Sequence, residues 1–191
     1  MVTIDICGEA VQFFPTYMRY GSNGSFYTDA AKRYFMKRPH KIQDLICEVT
    51  ALRRLQKYDK YFPRLFAVAP TYFVVNFIDG VASYRSVYPP NFLDQLKEAA
   101  NYLEAEQILH GDLHAQQIML DKSGNLWIVD YGYVSYQNTR TNGAQRMRDQ
   151  KYTLESFARQ KQLLPKDPAA ATEIGASMMR QRFPNFRGYG L

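Results

Sequence analysis

The run His110-Gly111-Asp112-Leu113-His114-Ala115-Gln116-Gln117 gathers two imidazoles, a carboxylate and side-chain amides within eight residues. Eighteen residues after Asp112 comes a second carboxylate, in Asp130-Tyr131-Gly132. Between them lie two short apolar runs, Ile118-Met119-Leu120 and Leu126-Trp127-Ile128-Val129. They flank the turn-forming residues Asp121-Lys122-Ser123-Gly124-Asn125. This pattern predicts a β-hairpin, and a hairpin brings the residue before its first strand close to the residue after its second. Asp112 and Asp130 then share one end. Two carboxylates so placed suit phosphoryl transfer: one takes the proton of an acceptor hydroxyl, the other holds magnesium on the phosphates.

These residues resemble the catalytic loop and the metal-binding Asp-Phe-Gly motif of the protein-kinase-like superfamily. The His-Gly-Asp-Leu-His form is closer to the aminoglycoside/choline kinase, UbiB-like and small atypical branches than to His-Arg-Asp-Leu-Lys. The resemblance implies that Asp112 is the catalytic base and Asp130 a magnesium ligand. It implies that Gln117 is a metal ligand where the family has Asn, and that His114, in place of the catalytic-loop Lys, contacts the γ-phosphate. His110 then supports the loop backbone. Gly111 replaces an Arg that in many protein kinases binds a phosphorylated loop, which implies activity without that signal. The extra methylene of Gln117 leaves a weakened enzyme, or a pseudokinase binding module, as an alternative.

The same resemblance asks for a strand Lys, preceded two residues earlier by a small residue over the adenine, and paired with a helical Glu. Ala30-Ala31-Lys32 fits, with Ala30 facing the base and Glu48 sixteen residues beyond Lys32. Lys37 competes, but it would put the bulky Phe35 over the base. Val74 to Gly80 resembles the strand and hinge that meet adenine through Asn76, Phe77 and Ile78. Two segments compete for the phosphate-covering loop. Gly8, after the first strand, is preferred; Gly21-Ser22-Asn23-Gly24 then serves as a hairpin turn.

The elements required to position these groups are legible. Val2–Ile6, Val11–Tyr20 and Phe26–Phe35 read as strands. Ile42, Leu45, Ile46, Val49, Leu52 and Leu55 give one helical face. Strands follow at 64–68 and 72–78, and a helix opens at Asn91 with Phe92, Leu96, Ala100 and Leu103 inward. The chain from about Gln145 reads as helical. Strands first and helices later predict an α+β, abbreviated two-lobed kinase-like fold: one domain over 1–191, with a β-rich N-lobe to about 78 and a small helical C-lobe from 79.

The net charge is +6. Residues 1–137 carry 14 basic and 14 acidic side chains, whereas 138–191 carry 10 and 4. The excess therefore sits away from the chemistry, and is expected to dock a substrate or activating partner; charge reversal at Arg146, Arg148 and Lys151 tests this. A uniformly basic nucleic-acid coat is excluded, and stacking by Phe183, Phe186 and Tyr189 is disfavoured. No apolar run is long enough to span a membrane and no Sec-type signal opens the chain. Cys7 and Cys47 fit a reduced, cytoplasmic compartment. The expected function is an ATP- and Mg2+-dependent minimal Ser/Thr protein kinase, of the compact sort found among bacterial effectors delivered into hosts and among phage proteins. The alternative is a sugar, lipid or antibiotic kinase.

Overall fold

The computed structural model describes residues 1–16, 24–113, 116–136 and 151. Six strands form one antiparallel sheet: β1 (Val2–Ile6), β2 (Glu9–Thr16), β3 (Gly24–Asp29), β4 (Tyr34–Pro39), β5 (Leu65–Ala69) and β6 (Tyr72–Asn76). Their order is β1-β2-β3-β4-β6-β5. Helix α1 (Ile42–Leu55) follows β4 directly.

Alternation along these strands feeds two apolar clusters. Ile4, Ile6, Val11, Phe13, Met36 and Val74 bury themselves on one face of the sheet. Phe73 and Val75 join the other cluster, with Leu45, Val49, Leu52 and Leu55 of α1. That second cluster continues into α2 (Phe92–Ala105) through Phe92, Leu96, Ala99 and Leu103, and into the short strands beyond. Those are β7 (Gly80–Ala82), β8 (Ile108–Leu109), β9 (Ile118–Asp121), β10 (Leu126–Ile128) and β11 (Ser135–Tyr136). The expected hairpin is β9–β10, in register Ile118 with Ile128, and β7 pairs with β9 on its other side.

Asn91 occupies the cap position of α2 without a side-chain cap bond. Its side-chain Oδ1 accepts from Gln95 Nε2, and buried Gln95 accepts in turn from the Leu126 amide at 2.8 Å through Oε1. One polar side chain thereby fixes α2 to the start of β10. The α1–β5 connection clamps the same strand from the other side: the Ile128 amide donates to Tyr61 C=O at 2.7 Å, while Tyr61 Oη donates to Glu98 of α2 at 2.6 Å.

The strand expected over Phe26–Phe35 is two strands. The Asp29 carboxylate, 3% exposed, accepts from the amides of Arg33 and Tyr34 and closes a turn between β3 and β4. This is the short-range chemistry by which Asp side chains favour turns over strands. Among the described residues no helix is long and apolar enough to cross a membrane. The expectations placed on His114, the loop 17–23 and the helical region after Gln145 lie outside the described residues. Lys151 is the exception: its ammonium donates to Asn101 Oδ1 at 2.7 Å.

Candidate active site

The loop that carries Asp112 is held at both ends. Upstream, β8 pairs with β11, which brings Leu109 against Ser135. Buried His110 then faces Val129 C=O at 2.9 Å through Nε2. A carbonyl can only accept, so Nε2 carries the proton and donates. Downstream, the Val129 amide donates to Gln117 C=O at 2.9 Å. Residues 110 and 117 are both tied to the residue just before Asp130, and half-buried Asp112 lies on the loop between them.

Gly111 sits at φ +81°, and a Cβ there would lie 2.2 Å from Tyr133 C=O. The backbones of the two motifs touch, so no side chain fits at 111. This is the physical reason for Gly at 111. Gly111→Ala is expected to cost on the order of 2 kcal/mol or more, from left-handed backbone strain plus the clash. A denaturant midpoint unchanged from wild type would contradict it.

Tyr131, where the family motif has Phe, is 1% exposed and donates its hydroxyl to Ile128 C=O at 3.0 Å. The polar tip is thus satisfied inside the core. Asp130 itself adopts φ +64°, an uncommon conformation for a non-glycine residue, and one that concentrates at functional sites.

Asp130 meets a lysine from the sheet. Lys37 Nζ lies 2.7 Å from Asp130 Oδ1 and 2.6 Å from Glu48 Oε1. Lys37 and Glu48 are 7% and 3% exposed, so the three charges form a largely buried triad. The lysine that pairs with Glu48 is therefore Lys37 and not Lys32. Lys32 falls in the β3–β4 turn at φ +51°, exposed, with its ammonium 5.9 Å from the Phe77 ring centroid. Ala30 is exposed in the same turn. The signal that could have separated the two lysines is Asp29, a turn-closing side chain inside the supposed strand.

Gly8 is also corrected. It forms the β1–β2 turn at φ +85°, and Glu9 beside it pairs with Arg33 at 2.7 Å. That is the Asp29–Tyr34 end of the sheet. Lys37 lies toward the other end, in a row with Phe26 and Thr16. A Cβ at Gly24 would lie 2.7 Å from Arg38 C=O, so glycine is needed there for close strand approach.

Burial alone would lower the pKa of Lys37, but Glu48 and Asp130 outweigh it and raise it. Burial works to raise Asp130, but Lys37 overrides it and holds the carboxyl below its usual range. Burial dominates at Glu48 and pushes it up to about 7 despite Lys37. Between its ordinary 4.5 and about 7, Glu48 keeps a proton in the fold that the unfolded chain has lost. Its contribution to stability is thus fully present below pH 4.5 and disappears as pH rises through about 7. Lys37 and Asp130 shift outside that window, upward from 10.5 and downward from 3.8. From pH 5 to 7.5, wild type is expected to lose on the order of 2–3 kcal/mol that Glu48→Gln does not lose. Urea unfolding of both proteins checks this, and equal pH slopes would contradict it.

Gln117 Nε2 lies 3.4 Å from Asp130 Oδ2. Rotating the amide would present its oxygen there instead, because the two amide orientations have the same shape. Among the described residues no three His, Cys, Asp or Glu side chains gather as metal ligands. The available donors are one carboxylate and one amide oxygen. That set suits Mg2+, which keeps waters and phosphate oxygens in the rest of its octahedron.

At the hinge, the Asn76 amide donates to Arg64 C=O at 3.1 Å and the Phe77 amide to Arg33 C=O at 2.8 Å. The Ile78 amide donates to no backbone carbonyl among the described residues, while its carbonyl accepts from Gly80 at 3.0 Å.

A model of the protein tyrosine and serine/threonine kinase family matches residues 83–164. The crystal structure of the Rio2 kinase–ADP/Mg2+–phosphoaspartate complex from Chaetomium thermophilum superposes with a TM-score of 0.62, over 85% of this chain and 61% of that one, at 12% identity. The chain has a protein-kinase-like fold, and its residues 83–164 are similar to the kinase family. Two curated kinases are similar over shorter stretches. Cyclin-dependent kinase 2 of Caenorhabditis elegans is 31% identical over 99 residues, 44% of this chain and 27% of that protein. The serine/threonine-protein kinase PKH3 of Saccharomyces cerevisiae is 29% identical over 70 residues, 32% of this chain and 8% of that protein. The kinase family match begins at Ser83, so the choice of Lys37 in this kinase-like chain rests on its geometry alone.

Proposed function

We propose that the chain is an ATP- and Mg2+-dependent phosphotransferase, and that its acceptor is a Ser or Thr hydroxyl of a protein. The observation that carries this reading is the buried ammonium of Lys37, held between Glu48 and Asp130 at 2.6 and 2.7 Å. A cation kept charged in a half-closed cleft is suited to phosphate oxygens, whose negative charge it meets without further reorganisation. When bound, Mg2+ neutralises the phosphates; Asp130 and Gln117 are the residues that would hold it.

The remaining roles fall to groups on the tethered loop. Asp112 accepts the proton of the acceptor hydroxyl as that oxygen attacks the γ-phosphorus. Glu48 orients Lys37 from α1. The protein acceptor is supported by the serine/threonine-protein kinase among the similar proteins.

Incubation with γ-labelled ATP, Mg2+ and a mixed protein extract tests the reading. Acid hydrolysis of labelled protein is expected to release phosphoserine or phosphothreonine. Label confined to small molecules would replace the protein acceptor with a sugar, lipid or antibiotic. Absence of any transfer would overturn the phosphotransferase reading.

A further inference from the structure

The residue two positions before Lys37 is Phe35, and strand alternation puts both on one face of β4. Phe35 pairs across the sheet with Val75, the neighbour of Asn76, on one side and with Thr28 on the other. It therefore stands between the Lys37 triad and the strand end that leads to Ile78. Its ring packs against the main apolar cluster and stacks on Phe26, with centroids 5.9 Å apart and planes 21° apart. Phe26 lies opposite Lys37, with the ammonium 6.0 Å from its ring centroid. Two benzyl groups thus roof the cleft over the path from the triad to the hinge.

A nucleobase reaching the Ile78 amide from phosphates on Lys37 would have to lie under this roof. Protein interiors pack at near-crystalline density, and a ring held by stacking at one side and by the core at the other does not yield the thickness of a purine. Toward the phosphate end, Lys37, Asp130 and Gln117 converge among the described residues.

We propose that Phe35 closes the base slot, so that the site takes nucleoside triphosphates by their phosphates and metal and is indifferent to the base. This rests on the phosphotransferase reading and names its donor class. Charge supplies the affinity that remains, because an ammonium and a cation on a triphosphate make the strongest contacts the cleft offers. The base then projects toward the cleft mouth and adds little.

Titration calorimetry in Mg2+ with non-hydrolysable analogues of ATP, GTP and CTP, and with inorganic triphosphate, tests this. Wild type is expected to bind all four within about threefold of one another. Phe35→Ala is expected to bind the ATP analogue roughly tenfold tighter and inorganic triphosphate unchanged. Phe35→Val, which places a strand-favouring β-branched residue there, serves if the Ala variant unfolds. A wild-type preference of roughly tenfold or more for the ATP analogue over the CTP analogue would overturn the inference while leaving the phosphotransferase reading in place. So would truncation at 35 that fails to tighten ATP binding. Failure of all four ligands to bind would overturn both.

Discussion

Lys37→Ala is expected to lower phosphoryl transfer by roughly 10²–10³-fold, whereas Lys32→Ala changes it by less than about threefold. The two lysines are five residues apart and both were candidates on sequence. Lys37 is buried between two carboxylates; Lys32 is an exposed turn residue near Phe77. Removing Lys37 takes away the cation that meets the phosphates and leaves Glu48 and Asp130 facing each other. Breaking a buried pair by deleting one partner commonly costs about 3–5 kcal/mol. Half-exposed Asp130 and a Glu48 that protonates readily hold the loss below that here. Initial rates, with circular dichroism to establish that each variant is folded, check the comparison. A larger defect in Lys32→Ala than in Lys37→Ala would contradict the assignment.

The second large effect is at the paired carboxylates. Asp130→Asn keeps the side-chain shape but removes the carboxylate that faces Gln117, and transfer is expected to fall by about 10³-fold or more. Divalent-ion affinity, read by Mn2+ spin resonance in the presence of nucleotide, should fall with it. Asp112→Asn is expected to reduce turnover by roughly 10²–10⁴-fold while leaving Mn2+ affinity unchanged, since a general base acts on the acceptor proton and not on the metal. A shared loss of metal affinity in both variants would place Asp112 on the cation and contradict its role. The split is informative because the loop of Asp112 is anchored through the His110 side chain and the Gln117 backbone, which neither substitution touches.

The carboxylate end of the site was legible in the sequence because it is built locally. Asp112, Gln117 and Asp130 are positioned by one hairpin, β9–β10, whose strands and turn are continuous in the chain. Glu48 was named by its sixteen-residue spacing from Lys32, and the structure keeps the glutamate while exchanging its lysine for Lys37. The lysine was not legible, because its choice depends on where one strand stops. Asp29 converts what reads as a single run, Phe26–Phe35, into two strands and a turn, and this moves the inward-facing lysine from 32 to 37. The same shift exchanges Ala30 for Phe35 over the cleft. Bulk at Phe35 counted against Lys37 on sequence; in the fold it is a property of the site. Gly8 failed for a related reason: β1 adds a strand outside the hairpin that approaches Lys37, so the first glycine turn belongs to the wrong end of the sheet.

The claim most exposed to test is that the cleft of Lys37, Glu48, Asp112 and Asp130 transfers a γ-phosphoryl group. The most direct measurement is the rate of label transfer from γ-labelled ATP, to protein or to water, with and without Mg2+, for wild type and Asp130→Asn in parallel. A Mg2+-dependent rate in wild type that falls to background in the variant is the expected result. Equal rates in the two proteins, both independent of Mg2+, would contradict it.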